Sequence, residues 1–178
     1  MLDALFKPKS VAVIGASTKE LSIGNRVLKN LVDFGFKGPI YPINPKADEV
    51  RGIKAYKSIL EAPDNIDVVH MVIPAKFVPQ AVEDCGQKGV KNIIINSGGF
   101  SEIGPEGEAY EKDFLARAKK YGIRMFGPNC QGVINSVLVR SSLYNSNQAT
   151  TISLILDSRT RFSFSSWPSA DIFPDTTG

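Results

Sequence analysis

Histidine and cysteine are scarce in this 178-residue chain, which contains one His and two Cys. A single histidine cannot build a multi-histidine metal centre, so no metal site is predicted. Two cysteines cannot form a disulfide framework, and unpaired thiols fit a reducing, cytoplasmic location. The 21 basic residues barely exceed the 18 acidic ones. That small excess does not indicate a nucleic-acid partner.

Long hydrophobic runs are also missing. The longest apolar stretch, residues 68–73, contains His70. It is far shorter than the roughly 20 residues of a membrane-spanning helix. No apolar signal-peptide core follows the first lysines. We therefore expect neither a membrane partner nor a targeting segment.

The composition changes abruptly near residue 136. Residues 137–178 contain no Lys, no Glu and one Gly, yet they hold nine of the 16 serines. This change predicts one domain over residues 1–136 and an atypical tail over residues 137–178. The tail also lacks helical periodicity. The abrupt loss of Lys, Glu and Gly motivates one hypothesis, that the tail is translated out of frame or is a truncated remnant. An extension that covers a sheet edge is the alternative.

Short β-branched runs alternate with longer amphipathic segments before that point. Apolar runs predict strands at 10–14, 39–43, 67–73, 91–96 and 123–126, with a possible sixth at 133–135. Helical spacing predicts helices at 24–34, 77–85 and 106–121, with inward faces that include Phe34, Phe77 and Leu115. The alternation is typical of an α/β, Rossmann-like, doubly wound and mostly parallel sheet of five or six strands.

Ligands of such sheets bind beyond the carboxyl ends of the strands. The loop from Gly15 to Asn25 follows the first strand, and a glycine opens the next helix. Backbone N–H groups and the helix dipole at such a turn favour a phosphate. The loop is neither GxGxxG nor a P-loop. An ordinary tight turn between strand and helix is the alternative.

Lys46 follows the second strand, where NAD-binding sheets place a carboxylate that accepts from the ribose hydroxyls. A cation at this position favours a phosphate, such as that of NADP or coenzyme A (CoA). The alternatives are that Lys46 is a solvated surface lysine, or that Asp48 and Glu49 just beyond it accept from a ribose.

Two side chains in the chain offer catalytic chemistry. Cys130 lies in a loop rich in glycine and proline, and His70 lies inside an apolar strand. A nucleophile needs its base in contact, and the sequence does not place these two together. We interpret Cys130 as a structural or ligand-lining residue and His70 as a buried, hydrogen-bonded one. No catalytic residue is predicted.

Five segments, taken in order, resemble the NDP-forming acyl-CoA synthetases, a family that includes ADP-forming acetate–CoA ligase and, more distantly, succinyl-CoA synthetase alpha subunits. The segments are PKSVAVIGAS, YPINPK, VIPA, NSGGF and GPNCQG. The resemblance covers about residues 5–136 and implies a CoA-binding domain there.

The resemblance also implies which residues contact CoA. A phosphate-binding turn would be lined by Gly15, Ala16, Ser17 and Asn25. The adenosine-phosphate end would be held by Pro45 and Lys46, and the nucleotide moiety by Ile73, Pro74 and Ala75. The pantetheine channel would be lined by Ser97, Gly98 and Gly99, and the thiol would approach Asn129 and Cys130.

Enzymes of the resembled family join a carboxylic acid to CoA, with ATP converted to ADP and phosphate, through an acyl phosphate and a phosphohistidine. His70 does not match the phosphohistidine position, and no phosphohistidine or ATP-grasp domain is recognisable here. We expect those domains or subunits to act in trans on CoA or acyl-CoA, and this chain alone to be inactive. A stand-alone CoA-binding or CoA-sensing module and an NADP-binding protein are the alternatives.

Overall fold

A parallel sheet forms the centre of the computed structural model, which describes residues 3–63 and 65–130. The strands in chain order are β1 (Val11–Ile14), β2 (Ile40–Ile43), β3 (Glu49–Val50), β4 (Ile53–Lys54), β5 (Val68–Met71), β6 (Asn92–Ile95) and β7 (Arg124–Phe126). The helices are α1 (Asp3–Phe6), α2 (Ile23–Asp33), α3 (Val78–Gln87) and α4 (Pro105–Tyr121). Short 3-10 turns lie at Ile59–Glu61, Ala75–Phe77 and Ser101–Ile103.

The main sheet has the strand order β2-β1-β5-β6-β7, and every neighbouring pair is parallel. Every residue of β1, β5 and β6 is buried, which explains why these strands are nearly continuous apolar runs. Strand order reverses between β1 and β5, the switch point of a doubly wound sheet. The predicted α/β, Rossmann-like fold is confirmed, with five strands in the described part of the sheet.

Helices cover both faces of this sheet. Val11 and Val13 pack with buried residues of α2, which are Val27, Leu28 and Leu31. On the opposite face, residues of α3 and α4 pack against Val69, Met71, Ile93 and Ile95. Phe100 and Phe114 meet edge to face on that side, with ring centroids 5.2 Å apart. Each fully buried aliphatic or aromatic side chain contributes roughly 1.5–3 kcal/mol.

Helices α2 and α4 begin and end at favourable residues. The Ser22 hydroxyl accepts the Asn25 N–H at the start of α2. Helix α4 begins at Pro105 and ends before Gly122, whose φ of 62° is left-handed. Acidic residues in the first turn of α4 and lysines in its last turn complement the helix dipole.

The structure corrects two parts of the sequence-based prediction. A β3–β4 hairpin and a 3-10 turn, not a helix, form the described connection between β2 and β5, so strand and helix do not alternate throughout. The inward placement of Phe34, Phe77 and Leu115 is also wrong, since they are 52%, 53% and 48% exposed. Phe34 follows the end of α2, and Phe77 lies in a 3-10 turn before α3. In α4 the residue that faces the core is Phe114, next to the half-exposed Leu115.

Residues 131–178 lie outside the described part of the chain, so the possible strand at 133–135 and the tail stay predictions. The domain boundary at residue 136 stays a prediction as well. Across the described ranges, none of the helices is both long and apolar enough to span a bilayer.

Candidate functional site

All the loops predicted to bind a ligand follow the carboxyl ends of the parallel strands, at one edge of the sheet. Across this edge the order is Pro45–Lys46 after β2, Gly15–Ser17 after β1, Ile73–Ala75 after β5, Ser97–Gly99 after β6, and Asn129–Cys130 after β7. We call these residues, together with Asn25 of α2, the carboxyl edge. The structure therefore brings all the predicted site residues together, and their contact with a ligand stays a prediction.

The turn between β1 and α2 requires two glycines. Gly15 has a φ of 92°, and a Cβ there would collide with the Val72 carbonyl. A Cβ at Gly24 would collide with the carbonyl oxygen of Gly15. Asn25, only 2% exposed, donates from Nδ2 to the Ser17 carbonyl oxygen at 2.8 Å. Ala16 is 1% exposed, so it presents almost no surface of its own and supports the turn from within.

Asn44 joins the loops after β1 and β2. Its Nδ2 donates to the Ala16 carbonyl oxygen at 2.6 Å. Its Oδ1 accepts the N–H groups of Lys46 and Ala47 at 2.8 and 3.0 Å. Sequence reasoning missed Asn44, although an Asn-Pro pair after a strand is a known turn signal. Asn44 thus fixes the backbone from which Lys46 extends.

Arg51 is a second residue near the candidate site that sequence reasoning missed. It lies on the turn between β3 and β4, and its Nη1 donates to Oδ1 of Asn25 at 2.9 Å. No local pattern indicates this contact, because the two residues are 26 positions apart. The fold of the hairpin brings the guanidinium to the carboxyl edge.

The loops after β5, β6 and β7 are also linked. The Ser97 hydroxyl donates to the Ile73 carbonyl oxygen, and the Asn129 N–H donates to the Ser97 carbonyl oxygen at 2.9 Å. A Cβ placed on Gly99 would lie 3.3 Å from the Cβ of Ala75. Ala75 is 9% exposed, so it supports the loop more than it forms its surface.

Glu102 holds the glycine-rich loop after β6. Its carboxylate accepts the Gly99 N–H at 2.6 Å and the Phe100 N–H at 3.0 Å. The Gly99 N–H, more than any other group, holds the pKa of this carboxyl below its ordinary value. Sequence reasoning missed Glu102, which fixes the loop conformation from an exposed position.

Cys130 contacts main-chain oxygens at the ends of two strands. Its Sγ lies 3.2 Å from the carbonyl oxygen of Ile95 and 3.5 Å from that of Phe126, so its single S–H can donate to either of them. Asn129 beside it has a left-handed φ of 53°. These contacts position the thiol at the β7 end of the carboxyl edge.

His70 lies beneath the edge and not on it. It is 2% exposed in β5, and its Nε2 is hydrogen-bonded to Oδ1 of Asn96. Burial lowers the pKa of His70 from 6.5 to about 4, with partial compensation from Asn96. The ring is therefore neutral at pH 7 and donates this hydrogen bond. It orients Asn96, the residue before the Ser97–Gly99 loop.

Cations prevail at the carboxyl edge. Lys19, Lys46, Arg51 and Lys76 all belong to loops or turns that follow strands. None of the four forms an ion pair with a carboxylate within the described residues. Asp48, the predicted alternative ribose acceptor, is instead paired with Lys57 at 2.6 Å. That lysine holds the pKa of Asp48 below its ordinary value. Of the carboxylates in the same loops, Asp48 is paired with Lys57 and Glu102 accepts two main-chain N–H groups, so the four cations that are unpaired among the described residues favour an anionic ligand.

The part of the chain that the structure describes contains no candidate metal site. Nowhere in 3–63 and 65–130 do three or more His, Cys, Asp or Glu side chains gather closely enough to hold a metal ion.

Comparison with known proteins identifies the family. The model of the CoA binding domain matches residues 9–136. The alpha subunit of acetate–CoA ligase (ADP-forming) I from Pyrococcus furiosus is 53% identical over 137 residues, which is 75% of this chain and 30% of that relative. The chain therefore spans less than a third of this curated relative.

Two solved structures have the same fold. One is the dinucleotide forming acetyl-coenzyme A synthetase 1 of Ca. Korarchaeum cryptofilum in complex with phosphate and ADP, with 37% identity and a TM-score of 0.73. The match covers 85% of this chain and 31% of that one. The other is a conserved hypothetical protein of Pyrococcus furiosus, with 29% identity and a TM-score of 0.56. This match covers 68% of our chain and 95% of that protein.

The resemblance inferred from the five segments is thus confirmed by a family match, a curated relative and solved structures. The chain belongs to the CoA binding domain family, and it matches the part of ADP-forming acetate–CoA ligase alpha subunits that corresponds to one domain.

Proposed function

We propose that this chain binds CoA along the carboxyl edge and serves as the CoA-binding domain of an NDP-forming acyl-CoA ligase. The observation that carries this proposal is the spatial order of the loops. The loop predicted to hold the adenosine phosphate lies at the β2 end, and the residues predicted to meet the thiol lie at the β7 end. The 3′-phosphate and the thiol are also at opposite ends of CoA.

The length of the edge supports the same orientation. Five adjacent strands span four intervals of about 4.8 Å, or about 19 Å. An extended cofactor crosses such a distance, with its charged nucleotide over one half and its uncharged pantetheine arm over the other. Lys46 and Arg51 lie on the nucleotide half, and the glycine-rich loop after β6 lies on the pantetheine half.

The chain's own residues would then bind and orient CoA and leave bond formation to other domains. The Gly15 N–H already donates to the Ile43 carbonyl oxygen, so the backbone N–H groups that follow it in the turn, together with the edge cations, would hold phosphates. Gly98 and Gly99 would allow close approach of the pantetheine arm. CoA supplies the thiol that becomes acylated, and Cys130 would line the end of that path.

A titration of the full chain tests CoA against NADP. We expect CoA to raise the free energy of unfolding by about 2.7 kcal/mol at 100 times its dissociation constant. NADPH should give no comparable increase, because the family match over residues 9–136 is to a CoA binding domain. Stabilisation by NADPH without stabilisation by CoA would overturn the proposal.

A reconstitution experiment tests the ligase context. The chain is mixed with acetate, CoA, ATP and separately purified phosphohistidine and ATP-grasp subunits, and acetyl-CoA and ADP are measured. We expect both products only in the complete mixture.

The expected cellular site is the cytoplasm, where CoA and ATP are available.

A stand-alone CoA-binding module is the second candidate. It is favoured by the conserved hypothetical protein of P. furiosus, of which this chain covers 95%. This candidate predicts CoA binding by the chain but no acetyl-CoA in any reconstituted mixture.

A further inference from the structure

Arg51 lies in a backbone conformation that does not suit it. Arg51 and Gly52 are the two central residues of the β3–β4 turn, with φ of 56° and 76°. Both values belong to the left-handed region, and such two-residue hairpin turns favour Asn, Asp or Gly at the first position. An arginine there is disfavoured, because its Cβ approaches the following carbonyl oxygen.

Neighbouring residues nevertheless hold Arg51 at a fixed place. Val50, the preceding residue, is 1% exposed and packs with the residues that α2 buries. The guanidinium donates to Asn25 at 2.9 Å, and Asn25 itself donates to the Ser17 carbonyl oxygen at 2.8 Å. The buried Asn25 side chain therefore links the guanidinium to the backbone of the Gly15–Ser17 turn.

Most of the hydrogen-bonding capacity of Arg51 remains available. A guanidinium has five N–H donors, and within the described residues Arg51 uses a donor of Nη1 alone. It forms no ion pair with a carboxylate there. A planar fork of donors with a permanent charge matches the oxygens of a phosphate group.

From these observations, and resting on the proposed function, we propose that Arg51 binds the diphosphate of CoA and that Asn25 is its positioning residue. The diphosphate is favoured over the 3′-phosphate because Arg51 is tied to the loop after β1. In Rossmann-like sheets the pyrophosphate lies at that first strand-to-helix turn. Lys46, on the outer loop after β2, is left for the 3′-phosphate.

Arg51→Asn removes the guanidinium and has two opposite effects on stability. Asn suits the left-handed turn, but Oδ1 of the buried Asn25 loses its Arg51 donor. Because these effects oppose each other, the binding role is tested by the affinities for CoA and for dephospho-CoA. Lys37→Gln is the matched control, since it removes one exposed positive charge before β2, at the opposite edge of the sheet.

The experiment measures CoA and dephospho-CoA binding by calorimetry, and unfolding by urea, for the full chain and both variants. We expect Arg51→Asn to weaken both ligands by about tenfold and by the same factor, since both carry the diphosphate. Lys37→Gln should bind both ligands as the wild type does. The urea transition of Arg51→Asn should remain cooperative, so that its affinities are those of a folded chain.

Each other outcome has a separate meaning. A wild-type chain that binds neither ligand overturns the proposed function itself. With wild-type binding intact, unchanged affinity in Arg51→Asn overturns the role of Arg51. A loss limited to CoA overturns the assignment to the diphosphate. An equal loss in Lys37→Gln overturns it as well, because the effect would then come from net charge.

Discussion

Asn44 and Ala16 connect two loops that are far apart in the chain, through the 2.6 Å hydrogen bond from Nδ2 of Asn44 to the Ala16 carbonyl oxygen. The same side chain fixes the turn that carries Lys46. Asn44 is therefore the point at which the two loops nearest the proposed nucleotide end are held in one arrangement.

Replacing Asn44 by Ala should lower both stability and CoA affinity. It removes three hydrogen bonds, each with a net value of about 0.5–1.5 kcal/mol, so we expect a loss of about 1.5–4.5 kcal/mol in the free energy of unfolding. Urea unfolding and CoA calorimetry measure the two effects. Asn30→Ala in α2 is the control and should leave CoA binding unchanged. An Asn44→Ala chain that binds CoA normally would contradict the role of this residue.

Lys46→Ala should distinguish CoA from dephospho-CoA. If Lys46 contacts the 3′-phosphate, its loss weakens CoA by about fivefold, a modest factor because the side chain is exposed. Dephospho-CoA, which lacks that phosphate, should lose much less affinity. Calorimetry with both ligands gives the comparison, and equal losses would refute the contact.

Two glycine substitutions should separate folding from binding. Gly24→Ala places a Cβ against the Gly15 carbonyl, so we expect it to cost about 1–3 kcal/mol in the free energy of unfolding. At Gly98 the Cβ would lie 3.1 Å from Oε1 of Glu102, the atom that accepts the Gly99 N–H, so Gly98→Ala should cost less than Gly24→Ala, about 0.5–1 kcal/mol. It should still weaken CoA, because the added methyl group narrows the proposed pantetheine path. Unchanged CoA affinity in Gly98→Ala would count against that path.

His70 should make stability depend on pH. Its pKa is lowered from 6.5 to about 4 in the folded state, so the unfolded chain binds more protons between these values. The contribution is fully present above about pH 6.5 and is lost as the pH falls towards 4, by on the order of 3 kcal/mol. His70→Gln keeps a donor for Asn96 and does not titrate. Urea unfolding at several pH values should show the wild-type advantage over His70→Gln shrinking in this window. A constant difference would contradict a buried neutral ring.

Local signals were sufficient for the sheet and for much of the edge. Strands β1, β5 and β6 are buried on both faces. An apolar run such as the one in Asn92–Ile95 therefore predicts a buried strand without any information from the rest of the chain. Gly15 and Gly99 mark strand ends because their positive φ values of 92° and 98° disfavour any side chain, and a Cβ at Gly15 would also collide with the Val72 carbonyl oxygen.

The residues that sequence reasoning missed depend on contacts between distant segments. Asn44 reaches Ala16 across 28 positions, and Arg51 reaches Asn25 across 26. Strands β3 and β4 have two residues each, too few to show a period of two. Arginine on their turn also conceals the hairpin, since Asn-Gly or Asp-Gly is the usual signal there.

The bonds that run from Asn44 to Ala16, and from Ile73 through Ser97 to Asn129, have a consequence for the entropy of binding. Loops that are already ordered lose little conformational freedom when a ligand arrives, so more of the contact energy appears as affinity. A flexible cofactor would then bind to a pre-organised surface. The conformational entropy lost on binding would be mainly that of the cofactor and not that of the protein.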